Sequence, residues 1–246
     1  MNVTAVCVTW NRPEMLGRLI HCFHQQQDVP NSSLLILDDA GQYPCINSGR
    51  GWVLLSTGIR YPTLGEKRNA AVEFAAALFP QTEAIAVWDD DDVYWPHTLR
   101  SVASALAEAA WAQPRIVFES SRRGWLNPTK TYIDESPEPV CYGGAWAFRL
   151  AAFNDVGGYP PLNNSEDCDI GSRFLRQHGP SGDSSAPCDP WYWYNRRPGQ
   201  IAELGEEVYA IRGRETVEWC DYPPIGWNGP NVYEFPQTKR VHPRPF

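Results

Sequence analysis

Asp89, Asp90, Asp91 and Asp92 form an unbroken run, preceded by the apolar segment Ala84-Ile-Ala-Val-Trp88 and followed by Val93-Tyr-Trp-Pro96. Four adjacent carboxylates repel one another unless a cation or strong hydrogen-bond donors collect around them. At the end of a buried strand such a cluster suits a hard divalent metal, Mg²⁺ or Mn²⁺, which takes oxygen ligands and commonly arrives with a phosphate-bearing substrate. An Asp run is often no more than a solvated loop. Here the apolar flanks put it at a strand end, where α/β proteins bind ligands.

Three other short segments carry similar chemistry. Asp38-Asp39 closes the apolar run Leu34-Leu-Ile-Leu37; a carboxylate there can accept the imide N–H of uracil, or simply form an Asx turn. Lys67-Arg68 falls in the first turns of a predicted helix. Backbone N–H groups, the helix dipole and a guanidinium together make an anion site fit for a diphosphate, the simpler use being a surface pair with Glu66 or Glu73. Glu166-Asp167 opens another predicted helix after Ser165, where acidic residues also serve just to complement the helix dipole.

The elements that must position these groups follow from pattern. Val3–Thr9 is a continuous apolar run suited to a strand buried on both faces. Asn11-Arg-Pro-Glu14 predicts a helix start, with Asn11 as cap, Pro13 in the first turn and Glu14 spaced for a capping box. Leu16, Leu19, Ile20 and Phe23 give that helix one apolar face. Strands are expected at Leu34–Leu37 and Trp52–Ser56, and a helix capped at Thr63 runs to about residue 79. After the strand leading into the aspartates come a helix over about 97–110 and a strand at Arg115–Phe118. This alternation predicts a mostly parallel, Rossmann-like sheet flanked by helices. Beyond residue 119 the pattern breaks into the Gly143-Gly144 turn, a short helix over 150–156 and a helix capped by Ser165 that ends near His178. The chain therefore reads as a ligand-binding half (1–118), an irregular half of the same domain (119–215) and a Pro- and aromatic-rich tail (216–246).

Composition narrows the function. With 21 basic and 29 acidic residues the net charge is −8, which disfavours a broad grip on nucleic acid or an anionic membrane. A small basic groove from Arg122-Arg123, Arg196-Arg197 and Lys239-Arg240 stays open. The seven cysteines are scattered and include no C-x-x-C pair, which argues for free thiols in a reducing compartment and against a structural zinc site. The N-terminus reads as a strand and not as a signal peptide, and no apolar run reaches membrane-spanning length. The expected location is the cytoplasm.

Taken in order, Val6-Cys-Val-Thr-Trp-Asn-Arg12, Leu37-Asp-Asp39, Gly65-Glu-Lys-Arg-Asn69, Trp88-Asp-Asp-Asp-Asp-Val-Tyr-Trp-Pro96, Gly157-Gly158 and Ser165-Glu-Asp-Cys-Asp169 resemble the motifs of the nucleotide-sugar-dependent glycosyltransferases of the large inverting family 2. The resemblance covers roughly residues 3 to 180. It implies the glycosyltransferase A fold and transfer of a sugar from a nucleoside diphosphate sugar, most simply a UDP-sugar, to an acceptor hydroxyl. It also implies a divalent metal of the Mn²⁺ or Mg²⁺ kind. By this likeness Asp39 takes the uracil imide, Thr9 and Arg12 flank base and ribose, and Arg68 meets the diphosphate. Asp89 faces the ribose and Asp91 binds the metal, with Asp92 as a second ligand or orienting group and Asp90 a bystander. Asp167 is the candidate general base, and Glu166 bonds acceptor or backbone groups. Gly144 and Trp146 shape the sugar pocket, and Trp191, Trp193 and Trp227 are candidates for stacking on an acceptor. One departure stands out. Where many relatives carry a histidine after a tyrosine-rich strand, this chain has Arg197, which cannot ligate a metal but can contact diphosphate.

Asp89-x-Asp91-x-Val93 also satisfies the opening motif of haloacid-dehalogenase-type phosphatases, with Asp89 as nucleophile, Asp91 as acid and Lys130 as the later lysine. A sugar-nucleotide pyrophosphorylase shares the general architecture, but its Gly-rich phosphate loop is missing here. A non-catalytic carbohydrate-binding protein is the remaining alternative. Neither the sugar nor the acceptor is specified by the sequence: a glycan or glycolipid is the default, and a protein side chain or a hydroxylated nucleic-acid base stays open.

Overall fold

The structure, a computed structural model, describes residues 1–120, 128–132, 143–185, 192–194 and 216–219. Arg122, Arg123, Trp191, Arg196, Arg197, Trp227 and the tail from Lys239 to Phe246 lie outside the described residues. The chain begins with β1 (Val3–Thr9), α1 (Pro13–His24), β2 (Ser33–Asp38), β3 (Ile46–Gly49), β4 (Trp52–Ser56) and α2 (Leu64–Leu78). It continues through β5 (Ala84–Trp88), β6 (Val93–Tyr94), α3 (Thr98–Glu108), β7 (Trp111–Gln113), β8 (Ile116–Ser120) and β9 (Pro128–Tyr132). A 3-10 turn at Gly143–Ala145 then leads to β10 (Ala147–Arg149), α4 (Leu150–Asp155), α5 (Glu166–His178), β11 (Gly182–Asp183), β12 (Tyr192–Tyr194) and β13 (Thr216–Trp219).

Eight strands form one sheet in the order β11-β7-β10-β5-β1-β2-β4-β3. Its centre is parallel, with β1 between β2 and β5 and with β4 beyond β2. Alternate residues of each central strand enter opposite cores. Val3, Ala5 and Cys7 meet α1 and α3 residues such as Leu16, Leu19, Ile20, Leu99 and Val102. Val6, Leu35, Leu37, Ile85 and Val87 join Ala71, Val72, Phe153, Ile170 and Phe174 of α2, α4 and α5. Covered on both faces, these strands read as uninterrupted apolar runs, and each fully buried Leu or Ile stabilises the fold by about 1.5–3 kcal/mol.

Register fixes the site. Thr9 pairs with Asp38, and Cys7 with Trp88, so β1, β2 and β5 end together at one rim. Because β2 and β5 leave β1 on opposite sides, their end loops part there, which is where ligands enter open α/β sheets.

Several sequence expectations are corrected. Asn11 does not cap α1: it adopts a left-handed φ of 53°, the cap position passes to Arg12, and no side chain caps the helix. Asn tolerates that backbone better than most residues. Ser165 precedes α5 with φ 61° and makes no capping bond either. Thr63, by contrast, does cap α2, accepting from the Glu66 N–H at 3.2 Å. β3 and β7 were not anticipated. The predicted strand at Arg115–Phe118 appears as β8, in a second sheet of order β13-β9-β8-β12-β6. Between the Gly143-Gly144 turn and the short helix, β10 is inserted antiparallel between β5 and β7. Cys7, Cys22, Cys45 and Cys168 are free thiols, as expected. Among the described residues no helix is long and apolar enough to cross a membrane.

The loop ahead of α5 is fastened to the start of α2. Leu64 N donates to Asn163 Oδ1 (3.0 Å) and Gly65 N to the Leu162 carbonyl (2.9 Å), filling two of the helix's open N–H groups. Asn69 exchanges two hydrogen bonds with the Tyr159 backbone, at 2.8 and 2.9 Å. Gly65 lies so near the Pro160 carbonyl that a methyl group there would overlap backbone oxygen. Gly65→Ala is therefore expected to destabilise the protein by about 3 kcal/mol, the upper part of the usual overpacking range, as read by urea unfolding. A loss below about 0.5 kcal/mol, within the range of ordinary surface changes, would mean that this contact is not made.

Candidate active site

At the rim the carboxylates have distinct partners. Asp38 is fully buried and structural, accepting the N–H groups of Ala40 (3.0 Å) and Gly41 (3.2 Å) and the Ser56 hydroxyl (2.7 Å). Asp90 accepts from Thr9 Oγ1 (2.5 Å) and Arg12 Nη1 (2.7 Å). Arg12 also reaches Asp91 Oδ2 at 3.2 Å, while Arg18 Nη2 donates to the Asp91 carbonyl at 2.6 Å. The left-handed turn at Asn11 directs the chain into Arg12, which holds this pair. Burial pushes the Asp90 carboxyl above its usual range, and Arg12 and Thr9 pull it back.

Asp39 sits beyond the end of β2, with its side chain nearly closed off from solvent. Lys67 Nζ donates to its Oδ1 (2.5 Å) and to the Thr9 carbonyl (2.5 Å). Arg60 Nη1 is shared between Oδ1 (3.0 Å) and Oδ2 (3.1 Å), and the Tyr61 N–H reaches Oδ2 at 3.3 Å. The two cations differ in kind. Lys67 is buried, and desolvation pushes its ammonium down while Asp39 opposes the shift. Removing one partner of such a buried pair typically costs about 3–5 kcal/mol. The Arg60 side chain is 61% exposed, and pairs of that kind contribute about 0–1 kcal/mol. Its guanidinium also lies over the Trp10 ring, 4.7 Å from the centroid.

At the other end of the rim, Arg68 joins β5 to α5. Its Nη2 lies 3.5 Å from Asp89 Oδ1, its Nε donates to Glu166 Oε1 at 3.3 Å, and the guanidinium sits 5.8 Å from the Tyr159 ring centroid. Burial opposes the charge on Arg68, but Asp89, Glu166 and Asp167 more than offset that and hold it protonated. Burial pushes the Asp89 carboxyl up to about 6 against the pull of Arg68, and Asp91, Asp90 and Asp167 add to the rise. Glu166 is raised by burial too, with Arg68 again opposing.

The glycine turn meets both acids. A Cβ on Gly144 would collide with the Asp89 carboxylate, and one on Gly143 would stand 2.9 Å from Asp167 Oδ2. These are places where only glycine lets backbone come so close to an acidic side chain. Asp167 is half-buried, and its Oδ1 accepts the Cys168 N–H at 2.8 Å. The buried Tyr94 hydroxyl accepts from Asp89 N–H (2.6 Å) and donates to the Gly144 carbonyl (2.7 Å), while its ring stacks on Trp88 at 4.1 Å.

These groups border a cleft of about 780 Å³ lined by Thr9, Trp10, Arg12, Asp39, Arg60, Lys67, Arg68, Asp89, Asp90 and Asp91, with Tyr61, Thr63 and Asn163 among its other walls. Of the predicted residues, Thr9, Arg12, Asp39, Arg68, Asp89 and Asp91 thus share one space. Glu166 and Asp167 adjoin it through Arg68 and the glycine turn. Asp92 is buried and is not part of the lining. Trp146 turns into the core, 1% exposed, and meets Trp111 edge-on at 5.7 Å. Arg197 lies outside the described residues. Sequence reasoning assigned no role to Lys67, Arg60, Trp10 or Tyr94. Lys67 stands beside Arg68 in the same motif, yet nothing in its spacing ties it to Asp39; Trp10 and Tyr94 lie inside quoted motifs without a role of their own, and Arg60 carried no signal.

Among the described residues no three His, Cys, Asp or Glu side chains are grouped to cage a metal. The donor set suits a different arrangement. Magnesium-type ions are commonly held by one or two carboxylates with the remaining ligands from phosphate and water, and Asp91 and Asp89 are carboxylates facing the cleft.

No family model matches the sequence, and no curated protein matches it either. Solved structures do. TarS of S. aureus in complex with UDP-GlcNAc superposes with a TM-score of 0.61 at 17% identity, covering 81% of this chain and 60% of that one. TarS in complex with UDP gives 0.58 at 16% identity over 80% and 61%. The mannosyltransferase PcManGT from Pyrobaculum calidifontis, in complex with GDP-Man and Mn²⁺, gives 0.53 at 16% identity over 85% and 60%. The chain thus spans about three fifths of the length of these structures. At such identities the likeness is one of architecture: the mixed eight-stranded sheet and its helices have the glycosyltransferase A fold.

Proposed function

We propose that this chain is a glycosyltransferase that moves a sugar from a nucleoside diphosphate sugar, most simply a UDP-sugar, to an acceptor hydroxyl with inversion at the anomeric carbon. The observation that carries this reading is the position of Arg68, which touches Asp89 at the end of β5 and Glu166 at the start of α5. On this reading a donor site and an acid-lined acceptor site lie side by side. The solved structures that share the fold hold UDP-GlcNAc, UDP or GDP-Man, which favours a nucleotide sugar in the corresponding cleft.

On this reading the base and ribose occupy the end of the cleft near Trp10, Asp39 and Thr9, and the diphosphate lies toward Arg68 and Arg12. A divalent cation would be held by Asp91, with Asp89 beside it. When bound, it neutralises charge on the departing diphosphate. The protein's own groups do the rest. Arg68 attracts the phosphate oxygens. Asp167 accepts the proton of the acceptor hydroxyl as that oxygen attacks from the face opposite the diphosphate, and the electrons of the sugar–phosphate bond leave with the nucleotide. Gly143 and Gly144 let the sugar's surroundings approach without a side chain in the way. The scattered, odd set of cysteines supports a reducing, cytoplasmic setting. A glycan or glycolipid acceptor suits the acidic chain better than nucleic acid does.

Two measurements test the reading. Thermal-shift screening of UDP, GDP, CDP and dTDP, each with Mn²⁺ or Mg²⁺, is expected to raise the melting temperature most for UDP with a divalent metal, as ligand linkage requires. A flat response to every combination would remove the donor site from consideration. Asp167→Asn is expected to bind UDP as the parent does while transfer falls by about 10²–10⁴-fold, the usual contribution of a general base. Near-normal turnover in that variant would assign the base elsewhere.

A further inference from the structure

Asp39 makes four hydrogen bonds: Lys67 and Arg60 on Oδ1, and Arg60 and Tyr61 N–H on Oδ2. A carboxylate offers about four lone-pair directions, so the group is saturated. An incoming base can donate an N–H to Asp39 only if one of these donors leaves. Tyr61 N–H is backbone, and Lys67 is buried and anchored a second time on the Thr9 carbonyl. Arg60 is the exposed partner, resting on the Trp10 ring, which is itself 45% exposed. A flat, cationic N–H donor therefore lies against an aromatic face with its hydrogen directed at a recessed carboxylate. This is the position and chemistry that a flat nucleobase with a donor edge would occupy.

We propose that Arg60 fills the nucleobase position in the free protein and that the donor's base enters by displacing it. The exchange rests on the nucleotide-sugar reading given above. It swaps one N–H donor to Asp39 for another and one π contact on Trp10 for another, while Lys67 stays paired with the carboxylate throughout. It also selects among bases. Uracil, through its imide N–H, and guanine, through its N1–H and N2–H edge, present donors directly to Asp39. Cytosine and adenine place an acceptor ring nitrogen beside their amino group, and that lone pair would face the carboxylate. Arg60 thus sets a threshold that only a donor-edged base crosses at low cost.

The experiment compares the full chain with its Arg60→Ala and Arg60→Gln variants by calorimetric titration with UDP, GDP, CDP and inorganic pyrophosphate, each with Mn²⁺. Pyrophosphate has no base, so the ratio of UDP to pyrophosphate affinity cancels the general loss of one positive charge. In Arg60→Ala this ratio is expected to rise about three- to fivefold, the size of an exposed ion pair. GDP should follow UDP, CDP should not, and Arg60→Gln should fall between. Melting temperatures should match the parent, because the side chain is exposed. An unchanged ratio, or an equal gain for CDP, would overturn the exchange. A fall in the ratio would make Arg60 a grip on the bound base and overturn it equally. If neither the parent nor the variants bind UDP or pyrophosphate, the nucleotide-sugar reading itself fails, and the exchange with it; binding by the parent without the predicted ratio defeats the exchange alone.

Discussion

Negative charge gathered at one sheet edge is the constraint around which this protein is arranged. Asp39, Asp89, Asp90 and Asp91 border one cleft, and at close range like charges in a partly buried site repel by several kcal/mol. Cations from separate segments make the arrangement tolerable: Arg12 from the turn after β1, Lys67 and Arg68 from successive positions of α2, and Arg60 from the loop before that helix. Folding has to deliver all of them to the same rim. The parallel register of β1 with β2 and β5 does so, because it ends those strands level with one another.

The same pairing divides the cleft. At one end, Lys67 and Arg60 meet Asp39, with Asp38 close behind it, so two cations face two carboxylates beside an aromatic ring. At the other, the single charge of Arg68 faces the three carboxylates of Asp89, Glu166 and Asp167. The balanced end suits an uncharged base. In the proposed function, the acid-rich end takes a cation-bearing diphosphate and the proton to be removed. α2 supplies both ends with adjacent residues, since Lys67 and Arg68 leave the helix about 100° apart and so reach in different directions.

How much of this was legible in the sequence depends on what held each piece. Central strands covered on both faces betray themselves as apolar runs, and the Thr63 cap is a local motif that needs no tertiary partner. β3 is an exposed edge strand written in Asn, Ser and Gly, so it carries no hydrophobic signal. β7 and β10 are three residues each, too short for periodicity to register. Asn11 and Ser165 have capping chemistry but spend it on left-handed turns instead, because the chain must redirect there toward Arg12 and toward Glu166. Among site residues, the acids were visible because they cluster in sequence. Arg60 and Tyr94 were not, since their partners lie 21 residues back in Asp39 and 50 residues on in Gly144, and neither separation has a spacing rule.

The crowding of Gly144 against Asp89 has a bearing on how related chains should be sorted. Aspartate runs survive in a drifting gene for many reasons, including solubility, and their presence says little about whether the protein still works. A side chain at 144 cannot be accommodated unless the Asp89 carboxylate swings aside, however intact the acids remain. When working copies are to be separated from decayed ones by inspection of sequence, the glycine is the more discriminating marker.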